Sequence, residues 1–143
     1  LTKIERLPMD EEAHDPRFMY PDGTMRVATW QMFGSLFFGA VNKLEELLDP
    51  REGHPEIVIL DMTRLIQLDT TGLEGLENLR DKLQKRGCTL LVCGLNSQPG
   101  SLLYRSGFID HLGDDNVCPD LSSALQRAYI LLPNLMGGFE EDY

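Results

Sequence analysis

The segment VILDMTRLIQLDTTG crowds two carboxylates and two hydroxyls into a short stretch: Asp61, Asp69, Thr70 and Thr71. Paired carboxylates can do acid–base or nucleophilic work when they are held at a set separation and one pKa is raised. Spacing along the chain does not set that separation. An aspartic protease would need Asp-Thr-Gly, and this chain has Asp-Thr-Thr-Gly. The plainer role for both carboxylates is to accept backbone N–H bonds at strand ends. The hydroxyls offer a second chemistry. A phosphate at a helix start meets unpaired N–H groups and the positive end of the helix dipole, worth ~0.3–1 kcal/mol when exposed.

Other reactive groups are sparse. Gly94-Leu-Asn-Ser-Gln-Pro-Gly100 lacks the GK[ST] ending of a phosphate-binding P-loop and reads as a strand-to-helix turn. Asp61 as the phosphoacceptor of a response-regulator receiver would want an acidic pair after an early strand and a lysine after a late one, and neither is in place. Cys88, Cys93 and Cys118 form no CxxC and leave an odd count, so they read as reduced packing residues. His14, His54 and His111 show no ligand spacing with them, so no metal site is assigned. They read as surface residues.

The formal net charge of −10 over 143 residues argues against nucleic acid and against free adsorption to an anionic bilayer. The uncharged run from Val27 to Asn42 contains Gln31, Gly34 and Ser35, so no segment reads as a membrane span or as a signal peptide. The chain opens on Leu1 rather than Met, as an excised or processed piece would.

These groups must be held by a regular frame. Residues 1–24 read as irregular, with acidic DEEAHDP, turn-forming YPDG and a candidate edge strand at 4–7. Residues 25–132 read as the folded domain and 133–143 as an acidic tail expected to fray. Within the domain, Met25–Trp30 is predicted as a strand. Phe37, Ala40, Val41, Leu44, Leu47 and Leu48 mark one helical face, with Ser35 as N-cap and Asp49-Pro50 as the stop. Glu56–Asp61 is a short strand suited to burial on both faces. Leu73, Leu76, Leu79 and Leu83 line the next helix. Thr71 and Glu74 make its capping box; Lys82, Lys85, Arg86 and Gly87 end it. Cys88–Cys93 is a third strand. A short helix capped by Ser97 runs to Ser106-Gly107, and a last helix carries Leu121, Ala124, Leu125, Ala128, Leu131 and Leu132. Strands alternating with helices imply one α/β domain around a central sheet, with functional loops at the carboxyl ends of strands.

An apolar strand ending in Asp61, then Asp69-Thr70-Thr71-Gly72-Leu73, a helix, a strand and a short helix ending in Ser106-Gly107-Phe108 resembles the STAS domain. That family is shared by sulfate transporters and anti-sigma factor antagonists, and the resemblance covers roughly residues 25–131. GSLFFGAV, residues 34–41, is similar to the segment opening the first helix in the carboxyl-terminal domain of SulP anion transporters.

The resemblance implies a mixed sheet with amphipathic helices packed mainly on one face. It also implies a non-catalytic regulatory and protein-interaction domain on the cytoplasmic side of the cell membrane, without cofactor or metal. Its implied partners are the transmembrane part of the same transporter, a second copy, or a soluble protein. In the antagonist branch the first hydroxyl of the motif, Thr70 here, accepts phosphate from a kinase. Asp69 beside it would repel that phosphate, and completing a turn is the preferred role of Thr70. Asp69, Thr70, Thr71, Gly72, Gly94, Asn96 and Ser97 form the implied partner- or nucleotide-proximal loops. At helical spacing Phe37 is expected in the core and Phe38 on the surface, as an inter-domain contact. The alternatives are a free-standing antagonist switched at Thr70, and an enzyme using Asp61 and Asp69.

Overall fold

Ile57, Val58, Ile59 and Leu60 are all buried, so their strand must have a covered layer on each side. The computed structural model describes residues 2–7, 16–48 and 55–132. It contains strands β1 (Thr2–Arg6), β2 (Val27–Leu36), β3 (Ile57–Leu68), β4 (Thr89–Cys93) and β5 (Val117–Cys118). Its helices are α1 (Phe38–Leu47), α2 (Thr70–Lys85), α3 (Ser97–Arg105), α4 (Phe108–Leu112) and α5 (Leu121–Leu131). Single 3-10 turns lie at Pro16–Phe18 and Asp114–Asn116.

The sheet runs in the order β1-β2-β3-β4-β5. β1 is antiparallel to β2 and the remaining pairs are parallel, so the sheet is mixed. Alternation along the strands sorts side chains into two clusters. Trp30, Met32, Val58, Leu60, Leu90 and Val92 face a layer built from α1, α2 and α4, through Val41, Leu44, Leu76, Leu79 and Phe108. Val27, Ile57, Ile59, Leu91 and Cys93 face α5, through Ala124 and Ala128, together with Phe18. Most helices therefore cover one face and α5 covers the other. Each large apolar side chain so buried contributes about 1.5–3 kcal/mol.

Two strands are longer than the sequence pattern indicates. β3 continues from Asp61 to Leu68, and β2 continues through Gly34 and Ser35 to Leu36. The pairing slips between Gln31 and Phe33 and again between Gly34 and Ser35. Each slip breaks the two-residue alternation, leaving buried Leu65 and Leu68 among exposed Thr63, Arg64, Ile66 and Gln67. Such a pattern hides a strand.

Ser35 is consequently a strand residue and not the cap of α1. The cap position is Phe37, whose side chain makes no capping bond. Phe37 is 47% exposed, not in the core, and Phe38 beside it is 41% exposed. The ring of Phe37 lies against Gly39 in the first helical turn, outside the packed layer. Ser97 is the first residue of α3, with Asn96 at the cap position. The edge strand read at 4–7 lies at Thr2–Arg6. The acidic segment 8–15, Asp49-Pro50 and the tail 133–143 lie outside the described residues.

Candidate functional site

One loop follows β3 and another follows β4, and the length of β3 brings them side by side. β4 stops pairing with β3 at Asp61–Cys93, but β2 stays paired as far as Leu36–Leu68. The last residues of β3 therefore project past β4 with one edge open. Side-chain amides from the first turn of α3 close that edge. Gln98 Nε2 donates to the Leu68 carbonyl at 3.0 Å and its Oε1 accepts from the Leu68 N–H at 2.8 Å. Asn96 Nδ2 donates to the Thr63 carbonyl at 2.6 Å. One glutamine thus satisfies both backbone groups of a strand residue, as a neighbouring strand would.

The helix after β3 is capped by Asp69, not by Thr71. Asp69 Oδ1 accepts from the Gly72 N–H at 2.7 Å and from the Thr71 hydroxyl at 2.7 Å. The third residue after the cap is then Gly72, so Glu74 makes no capping box. Both Asp and Thr are good caps, and the backbone of Asp69 is the one in extended geometry. The two hydrogen bonds, chiefly that from Gly72, hold the Asp69 carboxyl below the ordinary carboxylate range.

Thr71 has a different task. Its hydroxyl donates to Asp69 and accepts from the Phe38 N–H at 3.3 Å, tying the start of α1 to the start of α2. Gly72 makes this approach possible. A Cβ there would lie 2.5 Å from the Leu36 carbonyl oxygen. Thr70 is exposed in the first turn of α2.

The second loop follows β4. Gly94 has φ of +71°, and a Cβ there would lie 2.9 Å from the backbone of Thr63. Thr63 in turn donates its N–H and hydroxyl to Asp61 at 3.0 and 2.6 Å. Asp61 also accepts from the Gln31 amide at 3.3 Å and is 6% exposed. The two carboxylates considered for catalysis are therefore engaged separately: Asp61 holds the turn of β3 and Asp69 caps α2.

The candidate residues fall into two groups. Asp69, Thr71, Gly72 and Phe38 meet where α1 and α2 begin, with Thr70 on the same turn. Asn96 and Ser97 instead line an open groove of about 630 Å³ that also includes Gly100, Tyr104, Cys118 and Pro119. Gly94 sits behind it against Thr63. Sequence reading missed Gln98, whose partner Leu68 lies on another element, and Thr63, which bonds Asp61 on its own strand and whose carbonyl accepts from distant Asn96. Among the described residues no helix is long and apolar enough to cross a membrane.

The fold has known counterparts. The STAS domain profile matches residues 22–124. The chain belongs to the STAS domain family. The crystal structure of a sulfate transporter family protein from Wolinella succinogenes superposes with a TM-score of 0.69 at 33% identity, covering 76% of this chain and 88% of that one. The SulP transporter STAS domain from Vibrio cholerae gives a TM-score of 0.67 at 29% identity, covering 76% and 86%. The putative sulfate transporter YvdB of Bacillus subtilis is 32% identical over 88 residues, which are 61% of this STAS chain but 17% of that protein. The matched region thus spans less than a fifth of that relative. This STAS domain is related to those of SulP sulfate transporters.

Proposed function

We propose that this STAS domain is a non-catalytic regulatory and protein-interaction module of a SulP-type secondary anion transporter, lying on the cytoplasmic side of the membrane. The observation that carries this reading is its similarity, over most of their length, to the Wolinella succinogenes and Vibrio cholerae domains. Two features support it. Phe37 and Phe38 are both exposed at the corner where two helices begin, as a contact with another domain requires. Asp61 and Asp69 are each engaged in backbone and hydroxyl hydrogen bonds, which suits positioning rather than turnover.

In this reading Phe38 contacts the membrane-embedded part, a second copy or a soluble partner. Asp69, Thr70, Thr71 and Gly72 form a recognition loop beside it, and Gly94, Asn96 and Ser97 form a second one at the groove. An immunoblot of fractionated source cells with an antibody to this domain tests the reading. The expected result is a membrane-bound band far heavier than 16.2 kDa. A soluble band near that mass would overturn it and favour a free-standing antagonist, with Thr70 as the residue to test for phosphate.

A further inference from the structure

Cys93 and Cys118 lie 25 positions apart in the chain yet are register partners on adjacent parallel strands, β4 and β5. Both side chains belong to the same buried cluster beneath α5. Neighbouring strands stand about 4.7–4.9 Å apart. That lies inside the Cα separation of about 4.4–6.8 Å that a disulfide accepts. The Cβ atoms would have to approach within about 3.5–4.5 Å. β5 can supply that movement, because it is two residues long and ends the sheet.

The two thiols differ in access. Cys118 lines the open groove beside Asn96 and Ser97, whereas Cys93 is fully buried. Cys93 instead stands opposite Asp61 of β3, its register partner on the other side. Cys88 lies at the opposite end of β4 and in the other core cluster, so it takes no part.

We propose that Cys93 and Cys118 are a modification site that a low-molecular-weight disulfide such as oxidised glutathione converts into a cross-strand disulfide. Cys118, reached through the groove, gives up its proton and attacks one sulfur of the reagent. The reagent's S–S bond breaks, a mixed disulfide forms on Cys118, and the first thiolate leaves and takes up that proton. Cys93 then attacks the Cys118 sulfur. The mixed disulfide breaks, the protein disulfide forms, and the second thiolate leaves and takes up the proton that Cys93 gives up. The two protein thiols are oxidised and the reagent is reduced to two thiols.

Burial raises the pKa of both cysteines above the ordinary thiol value. Both therefore stay protonated near neutral pH, and exchange is slow there and faster in alkaline solution. The product would pin β5 to β4 and fix the Cys118 wall of the groove.

The test exposes the whole folded chain to oxidised glutathione at mildly alkaline pH. Remaining thiols are then alkylated in denaturant and the intact mass is read without reductant. The expected product carries one alkyl group, on Cys88, and a peptide joining Cys93 to Cys118. The Cys93→Ser variant should instead hold glutathione on Cys118, and Cys118→Ser should hold none. Three alkylated cysteines in the wild-type chain would overturn the proposal. So would a glutathione adduct that persists on wild-type Cys118, or a bridged peptide that includes Cys88.

Discussion

The two halves of β3 solve the same problem by different means. From Ile57 to Asp61 the strand lies between β2 and β4, with its hydrogen bonds in the ladder and its side chains buried on both faces. From Arg64 to Leu68 it keeps β2 alone, and Asn96 and Gln98 stand where a further strand would be. The inner half is held mainly by apolar burial, which is large and non-directional. The outer half still buries Leu65 and Leu68 and pairs with β2, and its free edge is closed by a few directional bonds at the surface, each worth about 0.5–1.5 kcal/mol net. The inner half fixes the sheet. The outer half aims the loops that lie beside it.

Four substitutions separate these halves, taken from the largest expected effect to the smallest. Leu60→Ala, in the fully buried inner half, should lower unfolding stability by about 2–5 kcal/mol. Urea denaturation followed by circular dichroism measures it, and a loss no larger than that of the outer-half variants would erase the distinction. Gly72→Ala should cost about 1–3 kcal/mol by overpacking, because the new methyl meets the Leu36 carbonyl, which is backbone and cannot rotate away.

Asp69→Ala should cost about 1 kcal/mol at neutral pH through the lost cap. This effect has a pH signature. The folded carboxyl titrates below its ordinary value of 3.8, so its stabilisation is present above that value. It is lost as the pH falls through the lower folded pKa. The difference between wild type and variant should therefore shrink on acidification, and a constant difference would show that charge at the cap is irrelevant.

Gln98→Ala should have the smallest global effect, about 0.5–1 kcal/mol for two bonds made by an exposed side chain. Its mark should be local. Amide exchange at Leu68 should accelerate while exchange at Ile59 and Leu60 stays unchanged. Equal acceleration in both halves would mean that they open together.

Several features of this frame were readable beforehand for reasons that stay local. The basic last turn and Gly87 stop α2 as expected, with Gly87 at φ of +75° just past the helix. The leucines of α2 and the alanines of α5 fall on their buried faces. The errors also have a local cause. Asp69 and Thr71 are both able caps, and only the direction of the backbone chooses between them. α4 has five residues, too few for periodicity to appear. Phe37 has the spacing of a core residue, but it precedes the helix, so the spacing does not apply to it.

By itself the sequence determined the order of the longer strands and helices, most of the apolar faces they bury, and the motif that places the chain among STAS domains; it did not show β5 or α4. Those properties depend on residues within a few positions of one another. Tertiary structure alone decided that β3 outruns β4, that Gln98 replaces a strand beside Leu68, and that Cys93 faces Cys118 across two strands. These pairings join residues 25 or more positions apart along the chain. Packing of whole layers sets the register between such elements, and no short-range preference of the chain encodes it.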